Sequence, residues 1–336
     1  MSVDIWKKSF LEKGIPSHLV EHYAPYIEKL LLQDLPVIFE LEHLSKIIGV
    51  EISTLQKMIY CSRKFYRRFS IPKRNGSRRQ IDAPYPTLLL CQKWIYENIL
   101  KKTSVHHSAH GFIEKKSIIT NALPHKNKKA LLKIDLKDFF PSIPLSWVIN
   151  HFLSLGYANN VSFYLASLCS LEGHLCQGAP TSPYLSNILL TGLDNRLTKL
   201  AASYYLEYTR YADDMTFSGN YIPHTLIVTI ESVIASYGLS VNPEKTRLHL
   251  KKGQRIVTGI SVSGDSLSVP RDYKRALKQE IHFIERYGYI SHVSKLKIND
   301  PLYLEKLIGK VNFWLQVEPK NNFAKHALNL LRAVRK

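Results

Sequence analysis

YTRYADDMTFSG, residues 208–219, sets two acids, Asp213 and Asp214, side by side within a run otherwise suited to a strand. Tyr, Thr, Met and Phe favour a pleated, half-buried setting. Neighbouring side chains on a regular strand point to opposite faces, so two adjacent acids converge on one target only at a tight bend. Residues 205–218 therefore read as strand, turn, strand, with Asp213 and Asp214 at the bend. A third acid, Asp135, closes a separate apolar strand in ALLKIDLKDFFPSI (130–143), which breaks at Pro141. Packed side by side, these elements crowd three carboxylates together. Such a cluster is unfavourable without cations, because like charges raise one another's pKa. Hard divalent ions are the usual partner, and Mg²⁺ takes few carboxylates plus phosphate oxygens. Two such ions clamp the attacking and leaving oxygens of phosphoryl transfer. An Asp-Asp pair alone is only a turn signal; its apolar surroundings and the third acid make it more.

The charge balance points the same way. The chain has 336 residues, 46 Lys and Arg against 27 acids, and a formal charge of +19. That excess implies a polyanionic partner, with nucleic acid first among candidates. Nine of the cations fall between Lys57 and Arg79 with no acid among them, interleaved with Tyr60, Phe65, Tyr66 and Phe69. Cations with ring faces suit phosphate contact and base stacking; the rings also suit a core beneath a solvated hairpin. KRNGSRR (73–79) reads as a hairpin turning at Asn75-Gly76, with Lys73 and Arg79 on flanking strands facing a common groove. The cysteines, Cys61, Cys91, Cys169 and Cys176, have neither C-x-x-C nor zinc-ligand spacing and read as reduced thiols of a cytoplasmic protein. The first residues lack a signal-peptide core, and no apolar run reaches the roughly 20 residues of a membrane span.

Residues 1–66 read as helical, with Ser17 as an N-cap and a break near Gly49. A helix is expected from about Ser146 to Leu155. After a Gly/Pro-rich loop comes one long helix with Leu185, Ile188, Leu189, Leu193 and Leu197 close to one face. Another helix covers 225–238, stopped at Gly238. RIVTGISVSGDSLSVP reads as a short β-meander ending at Pro270, followed by helices rich in Lys and Arg. Mixed elements with antiparallel hairpins make the fold class α+β rather than a doubly wound parallel sheet.

YADD at 211–214 resembles the signature of reverse transcriptases, and other blocks follow in that family's order. IDLKDFFPSI resembles its first catalytic block, QGAPTSPYLSN (177–187) the next, GLSVNPEKT (238–246) another, and VTG (257–259) stands where a primer-gripping hairpin belongs. NALPH (121–125) resembles the N-A-x-x-H signature of retron reverse transcriptases, and VTG is a second retron-type marker. The resemblance covers about residues 60–265. It implies a right-hand polymerase fold of fingers, palm with antiparallel sheet, and helical thumb. The implied division is an N-terminal helical region (1–66), fingers (67–129), palm (130–144), fingers (145–178), palm with YADD hairpin and primer grip (179–264), and thumb (265–336).

By the same resemblance Asp135, Asp213 and Asp214 hold two Mg²⁺ ions, with the backbone carbonyl of Leu136 as a further ligand. Lys73 and Arg79 grip the triphosphate, with Arg78 a close competitor. Phe140 lies beneath the sugar, while Phe139 fills the core. Gln177 and Gly178 contact the nucleotide, and Lys245 stands near the leaving pyrophosphate, unless it is a surface lysine after a turn. Asn121 and His125 either touch RNA or form a local structural network. Arg271, Lys274, Arg275 and Lys278 line a thumb helix facing a structured RNA, or a solvated face. The implied reaction is DNA synthesis from deoxynucleoside triphosphates on the protein's own noncoding RNA, primed from an RNA 2′-OH to give a branched RNA–DNA product. The resemblance also implies antiphage defence, a separately encoded effector protein, and a host ribonuclease H that removes template. Two other readings stand beside it: an RNA-binding scaffold for an effector, and a related reverse transcriptase with protein-primed or untemplated synthesis.

Overall fold

The computed structural model describes the chain except Met1, Arg74, Asn75, Lys251, Lys252, Lys336 and the side chain of Arg335. Its first hairpin pairs β1 (Tyr66–Pro72) with β2 (Arg78–Pro84), in register from Tyr66↔Pro84 to Pro72↔Arg78. The loop closes through Lys73 N–H to the Ser77 carbonyl (2.7 Å). Of the expected Asn75-Gly76 turn, Asn75 lies outside the described residues; Gly76 has φ +82°.

The central sheet has four antiparallel strands: β3 (Ala130–Asp135), β4 (Glu207–Tyr211), β5 (Asp214–Gly219) and β6 (Arg247–Leu250), in the order β4-β5-β3-β6. Strand period divides its side chains cleanly. Leu132 and Ile134 of β3 lie opposite Phe217 and Met215 of β5 on one face. That face shares a core with Leu193, Leu197, Ile230 and Ile234 from the helices Thr191–Ser203 and His224–Ala235. The opposite face carries Lys133 and Asp135 beside Thr216 and Asp214. One face is anchored by burial, which frees the other for chemistry and fixes its register.

A short hairpin, β7 (Ile256–Val257) with β8 (Ile260–Ser261), follows, and Ser268 bridges to Ser261 as the meander required. Val257, Ile260 and Val262 belong to a second core with Leu277, Leu307, Trp314 and Leu331 of the C-terminal helices. Leu131, on the acid-bearing face, joins that core too. The helices Leu41–Ile48 and Ile52–Tyr60 are separated at Gly49 (φ +75°) as expected.

Two local expectations need correction. The helix Ser17–Leu32 is capped by Pro16, with Ser17 its first helical residue; the Pro16 carbonyl already accepts the Leu19 and Val20 amides. The long helix is two, Ser182–Leu189 and Thr191–Ser203, joined at Leu190. There the Thr191 hydroxyl bonds the Asn187 carbonyl (3.4 Å), a side chain competing with the backbone ladder. Cys91, Cys169 and Cys176 are buried thiols and Cys61 is exposed. No helix among the described residues is long and apolar enough to cross a membrane.

Candidate active site

Asp135 is the last residue of β3 and lies directly opposite Asp214, the first of β5. Tyr211 closes β4 against the same Asp214, leaving Ala212 and Asp213 as a two-residue turn. Three carboxylates from two distant segments thus meet at one end of the sheet. The junction is tied by main-chain bonds. Leu136 N–H donates to the Asp213 carbonyl (3.1 Å), and Asn242 N–H to the Asp135 carbonyl (2.7 Å). The segment 238–246 is therefore laid along the strand end, with Val241 bridged to Leu136. The Leu136 carbonyl accepts no hydrogen bond among the described residues.

Electrostatics at this end are strained by design of the fold. Burial pushes the Asp213 carboxyl up, and the charge of Asp135 adds to it. Burial likewise raises Asp214, with Lys133 opposing and Asp135 reinforcing. Lys245 places its ammonium on both oxygens of Asp135 (3.0 and 2.9 Å), and that hydrogen bonding holds it protonated to higher pH. It is an exposed lysine, and it is paired with Asp135. Lys133 sits 3.6 Å from Asp214. Among the described residues no group of three or more His, Cys, Asp and Glu side chains is positioned to hold a metal ion as it stands. The donor set nonetheless fits a hard divalent cation. It consists of carboxylates whose ionised forms need positive charge, at a strand end where water and phosphate can complete the coordination.

The other expected site residues lie in the loop after β3, the 177–187 segment and the first hairpin. Phe139 is buried in the core, while Phe140 is half-buried with its ring 5.1 Å from it. The Gln177 carbonyl accepts Asp82 N–H (2.8 Å), docking β2 on the 177–187 segment. Gly178 (φ +129°) is demanded by that docking, since a Cβ would lie 2.4 Å from the Asp82 carbonyl oxygen. In the basic hairpin, Asp82 takes Arg63 and Arg68 (2.7 Å each). Burial opposes its charge, yet the two guanidinium groups hold its carboxyl below the usual range. Arg78 is spent on Ser70 (2.7 Å). Lys73 and Arg79 are exposed, and among the described residues Arg79 makes no side-chain hydrogen bond or ion pair. Tyr66 faces the core; Phe69 is exposed with Arg67 over its ring.

The two sets of expected nucleic-acid contacts are engaged within the fold to different degrees. Asn121 and His125 are fully buried and have no surface to offer RNA. His125 bonds Ser218 (2.6 Å) and Thr209 (2.8 Å) of the central sheet, and Asn121 donates to Thr258 (3.4 Å) in the β7–β8 turn. Both therefore take part in a buried polar network. On the helix Arg271–Tyr287, Arg271, Arg275 and Lys278 are exposed, Lys278 with its ammonium over the Phe323 ring, while Lys274 is bound to Glu318 (2.6 Å) over Trp314. Helix spacing alone put four cations in one row; packing engages Lys274 in an ion pair and leaves the other three exposed.

Sequence reasoning missed β6, Lys133 and a buried cluster of Asp194, Arg210, Asn187 and Tyr208. The one signal for that cluster was Arg210, a cation inside an apolar strand two residues before the turn.

Such a strand-end set of acids, on a four-stranded antiparallel sheet backed by helices, suits metal-assisted phosphoryl transfer. A family model for reverse transcriptase (RNA-dependent DNA polymerase) matches residues 71–286. The chain is 35% identical over 278 residues to the retron Ec86 reverse transcriptase of Escherichia coli, covering 80% of this chain and 87% of that protein. It is 35% and 37% identical to the Mx162 and Mx65 retron reverse transcriptases of Myxococcus xanthus, covering 72% and 74% of this chain and 58% and 64% of theirs. The chain belongs to the reverse transcriptases, and within them to the retron type, and is an RNA-directed DNA polymerase. A looser likeness extends to a Candida albicans telomerase structure, at 11% identity and a TM-score of 0.43 over 80% of this chain and 63% of that one.

Proposed function

We propose that this reverse transcriptase copies part of its own structured noncoding RNA into single-stranded DNA, primed from an RNA 2′-OH to give a branched RNA–DNA. The observation that carries the catalytic part is the pairing of Asp135 with Asp214 across β3 and β5, with Asp213 in the adjoining turn. Asp135, Asp213, Asp214 and the Leu136 carbonyl would hold two Mg²⁺ ions, which would supply Lewis acidity toward the primer hydroxyl and the triphosphate. The primer hydroxyl gives up its proton to solvent, its oxygen bonds to the α-phosphorus, and the bond from that phosphorus to the bridging oxygen of pyrophosphate breaks. Lys245, protonated beside Asp135, is placed to neutralise or protonate that leaving group. Arg79 and Lys73 hold the triphosphate, with Arg79 favoured over Arg78 because Arg78 is engaged by Ser70. Gln177 and Gly178 position the nucleotide, and Phe140 excludes a ribose 2′-OH.

In this reading residues 67–129, with the first hairpin, and residues 145–178 form the fingers. The central sheet is the palm, and β7–β8 the primer grip. The helices beyond Pro270 are the thumb, where Arg271 and Arg275 meet a structured RNA by phosphate contact. The protein acts in the cytoplasm in antiphage defence with a separately encoded effector, and host ribonuclease H trims the template. Changing Asp213 and Asp214 to Asn tests the reading. DNA synthesis is lost while the noncoding RNA still co-purifies. Sequencing that nucleic acid from the unaltered protein yields a short DNA joined to structured RNA. DNA of random sequence attached to protein, or cellular protection that survives the double change, contradicts it.

A further inference from the structure

Beneath the acid-bearing turn lies a polar cluster that none of the roles above uses. Arg210 and Asp194 are both fully buried. Arg210 Nε and a terminal nitrogen fork onto the two Asp194 oxygens (2.9 and 2.6 Å). Its other terminal nitrogen donates to Asn187 Oδ1 and to the Ala212 carbonyl, each at 3.1 Å. Tyr208 donates its hydroxyl to Asp194 (2.7 Å), and Asn187 turns its amide onto the Gly111 carbonyl (2.7 Å). Gly111 is pressed on the same turn, where a Cβ would stand 2.9 Å from the Ala212 nitrogen.

A buried ion pair is weak evidence for stability, because apolar residues of equal volume serve as well or better. This one provides something apolar residues lack, a fixed donor aimed at the turn. Of the two turn residues only Ala212 has positive φ (+57°), in a position for which glycine is the usual choice. The turn thus holds an unfavourable backbone conformation immediately before Asp213. Its two flanking peptides are each gripped, the Ala212 carbonyl by Arg210 and the Asp213 carbonyl by Leu136 N–H (3.1 Å). We propose that Arg210, oriented by Asp194 and Asn187, is a positioning residue that locks this turn and so sets where Asp213 presents its carboxylate relative to Asp135 and Asp214. Asn187 ends the segment that begins at Gln177, so the same cluster ties the turn to the nucleotide-facing loop. Lysine cannot replace the fork, because it is a point donor and the site asks for divergent donors in one plane.

The proposal rests on the polymerase reading only for its catalytic consequence. The triple variant Tyr208→Phe/Asp194→Leu/Arg210→Met removes charge pair and hydroxyl together and leaves no buried unpaired charge. Arg210→Lys keeps the charge pair without the fork. Both are compared with the unaltered protein for melting temperature, for dTTP KM and kcat on poly(rA)·oligo(dT), and for Mn²⁺ affinity by electron paramagnetic resonance. The triple variant is expected to melt close to the unaltered protein, with dTTP KM within about twofold, kcat down about tenfold or more, and weakened Mn²⁺ binding. Arg210→Lys is expected to fall between. Unchanged kcat and Mn²⁺ affinity in either folded variant overturns the proposal and leaves the cluster as packing. If the triple variant does not fold, Arg210→Lys decides alone. If the unaltered protein extends no primer, the polymerase reading fails instead, and the Mn²⁺ affinities still judge Arg210.

Discussion

His125 shows how far a single residue can stand from its motif's apparent meaning. NALPH was legible as a signature, but its physical content was not, because the partners Thr209, Ser218 and Thr258 lie in other parts of the chain. Burial pushes the His125 imidazole down to about 3, against about 6.5 for a free histidine. Between those values the unfolded chain binds a proton that the folded chain refuses, so stability falls as pH falls through that window. One such group contributes a slope of up to ~1.4 kcal/mol per pH unit. The His125→Gln variant should be less stable than the parent at pH 7, where the Ser218 and Thr209 bonds are weakened. The gap should narrow on acidification, because the variant has no proton to refuse at this position. Urea unfolding of both proteins at pH 7 and pH 5 checks this, and a gap that widens at pH 5 contradicts it.

At the scale of elements, the β1–β2 hairpin separates what pattern reveals from what packing decides. The turn signal and flanking residues were enough to predict the hairpin, and the apolar run 130–135 was enough to predict β3. Which of the hairpin's cations are free was not readable, since it depends on Asp82 and Ser70. β6 was equally hidden, because Arg247 and His249 interrupt its apolar residues, and only pairing with Lys133 and Leu131 makes it a strand. The assignment of free and engaged arginines has a kinetic consequence. Arg79→Ala should raise dNTP KM about tenfold, the loss of one charge-assisted phosphate contact. Arg78→Ala should change it less than about twofold, while loosening the hairpin slightly. Steady-state kinetics on a primed homopolymer compare them, and the reverse order would reassign the grip to Arg78. Gly178→Ala tests the hairpin's seat. Its Cβ meets the Asp82 carbonyl at 2.4 Å, so β2 must lift. Limited proteolysis within 66–84 should become faster, with activity falling in parallel; unchanged protection would mean that the 177–187 loop yields instead.

Across the whole molecule, two cores lie on opposite faces of the central sheet, the second reaching the acid-bearing face at Leu131, and the formal charge is +19. The total was legible from composition and pointed correctly to nucleic acid. The number of cations left for that partner is smaller, because several are neutralised within the fold. The C-terminal helices make this measurable. RNA affinity falls with salt in proportion to the phosphates neutralised, about 0.7 to 0.9 in log–log slope for each. The double variant Arg271→Ala/Arg275→Ala, lacking two exposed guanidinium groups, should flatten the salt slope for the noncoding RNA by about 1.5 and leave melting unchanged. Lys274→Ala should do the opposite. The Glu318 carboxylate, which also accepts Val269 N–H (2.8 Å), would lose its ammonium partner, and Trp314 its covering cation. Stability should drop by about 1–2 kcal/mol with the salt slope almost unmoved. If Lys274→Ala instead flattens the slope as much as the arginine pair does, that lysine leaves Glu318 to meet RNA. The C-terminal helices would then rearrange on binding rather than present a preformed face.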